Sequence, residues 1–254
     1  MHLYATYSRQ RKGWISPDGI QAMWNVRLES KLRYGPTEEF SVDILSPISP
    51  SKCFVSDSKS VRSTPVIYAH GGAHMCVRRS ILHHSMTPLA RCGLTVYSVE
   101  YPLSPEAKYP VAVLAVLHAI LYVSRFHCTN GKCVGGTMGK HQGTFPALDA
   151  SRRQYCKHCG EKLGTNIVNL CGDSAGGSLV SMATAALNNP HLLEEMLSLI
   201  DVNSGSHGVE SIRNVNISEF PKIERLGILY GLLDRNQAKP EDNSFRSFLY
   251  ALIC

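Results

Sequence analysis

Apolar positions in this chain gather into short runs cut off by glycine, proline and serine, and the runs sharpen markedly after residue 63. "TPVIYAH" is a β-branched and aromatic run that breaks at Gly71-Gly72, which predicts a strand entering a tight turn. "RCGLTVYSVEYPL" predicts a second strand, apolar enough to be buried on both faces. "SPEAKYPVAVLAVLHAILYVSRF" runs into a helix with Pro110 in its first turn. "TNIVNLC" predicts a third strand. "GGSLVSMATAALNN" predicts a helix with Leu179, Ala183, Ala186 and Leu187 on one stripe, stopped at Asn189-Pro190. A further helix is predicted over "HLLEEMLSLI", and "ERLGILYGLL" predicts a fourth buried strand ending at Asp234. Strands alternating with helices imply βαβ crossovers, hence an α/β fold with a mostly parallel sheet and helices on both faces.

Two regions depart from this rhythm. Residues 1–63 carry one plausible strand, "EEFSVDILSP", then a Ser/Pro/Lys-rich linker, so they are expected to form an N-terminal cap and linker ahead of a core at 64–254. Residues 128–164 are rich in glycine and cysteine and look inserted between a helix and a strand.

Composition narrows the function class only modestly. Of 254 residues, 44% are apolar and 18% charged, which fits a globular chain rather than a disordered one. The net charge of +6 is spread out, with clusters only at Arg9-Arg11-Lys12 and Arg152-Arg153, and no aromatic interleaving points to nucleic acid. The run from Val111 to Val123 is too short to span a bilayer, so no transmembrane segment is expected. The first residues lack the apolar core of a secretion signal, so the cytoplasm is expected and the nine cysteines are expected as thiols or metal ligands. Asn216-Ile217-Ser218 then stands as a chance sequon.

The chemistry centres on Gly172-Asp173-Ser174-Ala175-Gly176, a G-x-S-x-G placed between a predicted strand and a predicted helix. A nucleophilic serine there needs small neighbours two positions away, because the turn is sharp. Its hydroxyl is then held at the carboxyl edge of the sheet, and the helix start aims amides at a developing oxyanion. His70-Gly71-Gly72-Ala73 lies about a hundred residues earlier, after the first sharp strand, and its glycine amides are candidates to complete an oxyanion hole with Ala175.

Three blocks now resemble one family: "VIYAHGGAHM" at 66–75, "SVEYPLSPEAKYPVAV" at 98–113 and "VNLCGDSAGGSLV" at 168–180. The chain looks like the hormone-sensitive-lipase-like branch of the α/β-hydrolases, of carboxylesterase and lipase type. Ala73 stands where that family usually has a third glycine. The resemblance implies hydrolysis of a small carboxylic ester through an acyl-enzyme on Ser174, with Gly71, Gly72 and Ala175 as the oxyanion hole. His70 would orient the glycine loop, Gly172, Asp173 and Gly176 would support the turn, and no cofactor would be needed for catalysis.

The family order is Ser, then an acid, then His. Only His191 and His207 follow Ser174, both before Asp234. The chain is therefore expected to be C-terminally truncated, lacking its triad acid and histidine. The alternative is a catalytically inactive ligand-binding or scaffold protein on the same fold, as plant gibberellin receptors resemble this family. In the insert, Cys128-x4-Cys133 and Cys156-x2-Cys159 make a candidate structural zinc site, the second pair resembling a zinc-ribbon knuckle and His141 and His158 being possible substitutes. The competing expectation is a loop with ordinary thiols.

Overall fold

The computed structural model describes residues 25–35, 37–48, 64–128, 155–156, 159–200 and 209–229. Six strands form one sheet: β1 (Val26–Arg33), β2 (Ser41–Pro47), β3 (Val66–Ala69), β4 (Val96–Val99), β5 (Ile167–Asp173) and β6 (Lys222–Leu229). Their order is β1-β2-β4-β3-β5-β6. β4, β3, β5 and β6 run parallel, whereas β1 and β2 are antiparallel to each other and β2 is antiparallel to β4. Among the described residues four α-helices accompany them: α1 (His83–Arg91), α2 (Val111–Phe126), α3 (Ala175–Asn188) and α4 (Pro190–Ser198).

Alternation along the strands divides the core, because successive side chains leave a pleated strand on opposite faces. Val66, Tyr68 and Val96 join Val26, Leu28 and Leu45 on one face, under Met86 and Ala90 of α1. Ile67, Ala69, Tyr97 and Val99 point the other way and meet α2, α3 and α4. The helix α2 is apolar on nearly every side and almost wholly buried, as its unbroken run predicts. Its single imidazole, His118, is 1% exposed, and burial lowers its pKa to about 4, so it sits there as a neutral ring.

One expectation is corrected, and two elements were not foreseen. Within residues 1–63, the strand expected over 38–47 is β2, and Val26–Arg33, where the sequence predicted no strand, is β1; both belong to the central sheet. α1 was not foreseen. The strand expected buried over 224–233 is found, within the described residues, as β6 at Lys222–Leu229, and it is largely exposed, with Leu226 40% and Leu229 49% accessible. It is an edge strand among the described residues: β5 pairs along one side, and α3 packs beside it. No helix of the described residues is long and apolar enough to cross a membrane.

Candidate active site

β5 ends at Asp173, and α3 starts at Ala175, so Ser174 must reverse the chain in one residue. It does so at φ 48°, ψ −118°, a left-handed conformation that costs a residue with a Cβ about 1–2 kcal/mol. Packing holds it there. A Cβ on Gly172 would lie 2.5 Å from the Gly176 carbonyl oxygen, and one on Gly176 would run into the carbonyl oxygens of Ala69 and His70. Both glycines thus let β3, β5 and α3 approach closer than any side chain permits. The Ser174 amide donates to Leu229 O at 2.7 Å, tying the turn to β6. At the start of α3, the Ala175 amide lies in the first helical turn, where amides have no intrahelical acceptor and the helix end favours negative charge.

The loop after β3 faces this turn. Asp173 Oδ1 accepts from the Gly71 amide at 2.8 Å and from the Tyr68 hydroxyl. The Gly71 amide is therefore already engaged, which the sequence could not show. Gly72 adopts φ 122°, and a Cβ there would collide with the Cys76 carbonyl oxygen. Its own carbonyl accepts from Met75 N at 3.1 Å and Cys76 N at 3.0 Å, winding a tight turn. Ala73, His74 and Val77 hold φ of 56°, 61° and 76°, an unusual density of left-handed residues, β-branched Val77 included.

His70 is clamped from every side. Its Nδ1 lies 2.7 Å from Gly71 O, its Nε2 lies 3.1 Å from Glu100 Oε1, and its ring stacks on Tyr101 at 4.4 Å. The Tyr101 hydroxyl donates to His70 O at 2.6 Å. Glu100 Oε2 in turn accepts from Arg79 Nη1 at 2.9 Å, and Arg79 reaches Asp43 through Nε and Nη2, each at 3.0 Å. His83 Nε2 is 3.0 Å from Asp43 Oδ2, and the Lys31 amide donates to Asp43 Oδ1 at 2.7 Å. Burial alone would raise the Asp43 carboxyl, but the His83 hydrogen bond and the Arg79 charge together bring it below its ordinary value. A buried ionic chain thus runs from β2 through Arg79 and the end of β4 to the glycine loop.

Sequence reasoning missed Asp43, Arg79, Glu100 and Tyr101 as parts of this support. Their signal was faint: Asp43, Glu100 and Tyr101 lie inside or beside apolar strand runs, and Arg79 lies in the turn before α1. By contrast, no side chain among the described residues hydrogen-bonds to the Ser174 hydroxyl. His191 stands at the start of α4, beyond the far end of the 14-residue α3. At 1.5 Å per residue that places it roughly 20 Å from Ser174. His207 and Asp234 lie outside the described residues, as do Cys133, His141 and His158.

At the other end of β5, Cys128, Cys156 and Cys159 come together. Each of their sulfurs lies within 4.8 Å of the other two, and Cys128 Sγ is 3.7 Å from Cys159 Sγ. Cys76 and Cys171 are free thiols, and burial, with Asp173 nearby, pushes the Cys171 thiol up. Cys92 corrects the expectation of thiols or ligands throughout: it is disulfide-bonded, and spacing along a chain does not reveal which sulfurs a fold brings together.

Residues 66–200 match a family described as having the alpha/beta hydrolase fold. This chain belongs to that family. Among solved structures it is similar to esterase B from Lactobacillus rhamnosis (HN001), at 18% identity and a TM-score of 0.58 over 98% of this chain and 61% of that one. A C6-C4 SN3 inhibited form of esterase B from the same organism gives 14% identity and a TM-score of 0.56, over 98% of this chain and 63% of that one. At such identities the likeness speaks for the α/β-hydrolase fold. The chain spans less than two thirds of the length of these esterases. No curated protein sequence gave a match.

Proposed function

We propose that this α/β-hydrolase takes part in hydrolysis of small carboxylic esters, with Ser174 as nucleophile. The observation that carries the reading is the backbone of Ser174, held at φ 48° between β5 and α3 by two glycines that nothing larger can replace. A merely structural turn has no need of that strain. In the proposed reaction Ser174 Oγ adds to the ester carbonyl carbon while a base accepts its proton. The carbonyl oxygen becomes an oxyanion, the C–O bond to the alcohol breaks, and the alkoxide leaves with that proton. Water then cleaves the acyl-enzyme by the same sequence.

The roles divide by position. The amides of Gly72, Ala73 and Ala175 receive the oxyanion, while Gly71 anchors the loop because its amide is held by Asp173. His70 is a positioning residue, since both ring nitrogens already face fixed partners. The base and its acid come from residues other than those described. As in other enzymes of this chemistry, no cofactor enters these steps.

One observation favours a second reading, a ligand-binding protein without turnover: among the described residues nothing hydrogen-bonds to the Ser174 hydroxyl. Hydrolysis of a short-chain p-nitrophenyl ester by residues 1–254, beside Ser174→Ala, separates the two. Turnover abolished by Ser174→Ala, together with covalent labelling of Ser174 by a fluorophosphonate, is the result expected of the hydrolase. Equal rates in both proteins and no labelling would overturn hydrolysis by residues 1–254 and leave Ser174 a nucleophile's seat without its triad.

A further inference from the structure

Cys128 follows α2 by two residues, while Cys156 and Cys159 belong to a small hairpin just ahead of β5. Three backbone contacts shape the hairpin: Tyr155 bridges Lys162, the Cys156 amide donates to Glu161 O at 2.7 Å, and the Gly160 amide donates to Cys156 O at 2.7 Å. Gly160 sits at φ 72°, and a Cβ there would meet nothing within 4 Å among the described residues, so its glycine serves the conformation. The hairpin is docked on the end of α2 through Gly164 N to His127 O and Thr165 N to Ser124 O, both 2.7 Å. Two elements far apart in sequence thus deliver three sulfurs to one point.

Cys128 is 3% exposed and Cys156 1% exposed, and among the described residues the only other buried apolar side chain in their cluster is Leu163. Burial of thiols in so small a cluster is weakly favourable on hydrophobic grounds. The sulfur spacing is more telling. Thiolates at about 2.3 Å from a tetrahedral zinc ion stand roughly 3.8 Å from one another, whereas a disulfide brings its sulfurs to about 2.05 Å. The Cys128–Cys159 separation of 3.7 Å matches an edge of the tetrahedron.

We infer that Cys128, Cys156 and Cys159 hold a structural zinc ion. As thiolates they form a soft donor set suited to zinc, and the three protons leave on binding. The ion closes the chain between Cys128 and Cys156 into a loop, as a cross-link would, and pins the entry of β5 to the end of α2. Ester chemistry lies elsewhere: Ser174 is at the opposite end of the seven-residue β5, roughly 20 Å away at about 3.3 Å per residue. The inference therefore stands apart from the ester-hydrolase reading.

The test is metal content of the purified 254-residue chain after exhaustive dialysis, followed by exchange with Co²⁺. About one zinc per chain is expected, and the cobalt form should show a near-ultraviolet thiolate-to-metal band and intense visible bands of tetrahedral geometry. Cys156→Ser and Cys128→Ser should each lower retained zinc tenfold or more, while Cys76→Ser, outside the cluster, leaves it unchanged. Cys159→His guards against simple misfolding: it should keep the metal while the thiolate band weakens. Zinc absent from the wild-type chain, iron in its place, a Cys128–Cys159 disulfide by mass, or equal loss in Cys76→Ser would each overturn the assignment.

Discussion

The two ends of β5 solve the same problem by different means. Each must hold irregular backbone in a left-handed conformation next to the sheet. At the carboxyl end, Ser174 is fixed by backbone packed on backbone, with Gly172 and Gly176 admitting β3 and α3, and by a buried ionic chain behind the facing loop. At the amino end, the cysteine hairpin has open space around Gly160 and a few buried side chains beneath it. The carboxyl end is rigid because the whole domain core enforces it. Among the described residues the amino end has hydrogen bonds within its hairpin and to the end of α2, a small apolar cluster and three convergent sulfurs, so it depends more on whatever joins those sulfurs.

That contrast can be broken hardest at Gly176. Gly176→Ala drives a methyl into two backbone carbonyls that cannot step aside, and should destabilise the fold by more than about 4 kcal/mol, read as loss of a cooperative urea transition. Next comes Arg79→Met, which leaves the Asp43 and Glu100 carboxylates buried without their shared cation. About 3–5 kcal/mol of stability should vanish, and ester turnover or Ser174 labelling should fall with it as the glycine loop loosens.

Acid should act on the core before the ionic chain. His118 in the fold has a pKa near 4, below its unfolded value of about 6.5, so the unfolded chain takes up the proton first as pH falls. Its contribution is complete above about pH 6.5 and is lost progressively toward pH 4, by up to about 3 kcal/mol. A His118→Phe variant should flatten denaturation midpoints across that window. Asp43 has a lowered pKa too, so its contribution persists until the pH falls below the ordinary carboxylate range. The smallest effect is expected at Gly160→Ala, about 1–2 kcal/mol from the φ of 72° alone, with no steric clash and metal content retained. Thermal unfolding beside Gly176→Ala would set the two kinds of glycine side by side.

The parallel half of the sheet was legible because its strands carry their signal locally: "VIYA", "VYSV" and "IVNLCGD" are apolar runs ended by turn residues. The Ser174 turn was legible for the same reason, since its steric demands fall on residues two positions away. β1 was not, because "VRLESKLR" loses its alternation at a bulge between Glu29 and Leu32, where Lys31 turns to φ 62° and offers its amide to Asp43. α1 reads as polar because only part of "HHSMTPLAR" faces the sheet, and one of its buried positions is His83, a partner of Asp43. The ionic chain was invisible since its members lie on β2, the turn before α1 and the end of β4. Only the fold shows that they touch. β6 was over-read for the converse reason: its apolar run is real, but exposure depends on what covers it.

The hydrogen bond from the Ser174 amide to Leu229 O has a use beyond holding a turn. It makes one amide proton a tell-tale for the docking of the edge strand. When β6 is seated, that proton is sequestered. When β6 lifts, Ser174 loses both its tether and its protection in one event. Deuterium uptake at Ser174 N–H, followed beside that of Gly172 in the same strand, would time the opening of this edge and reveal how often the serine's seat is let go.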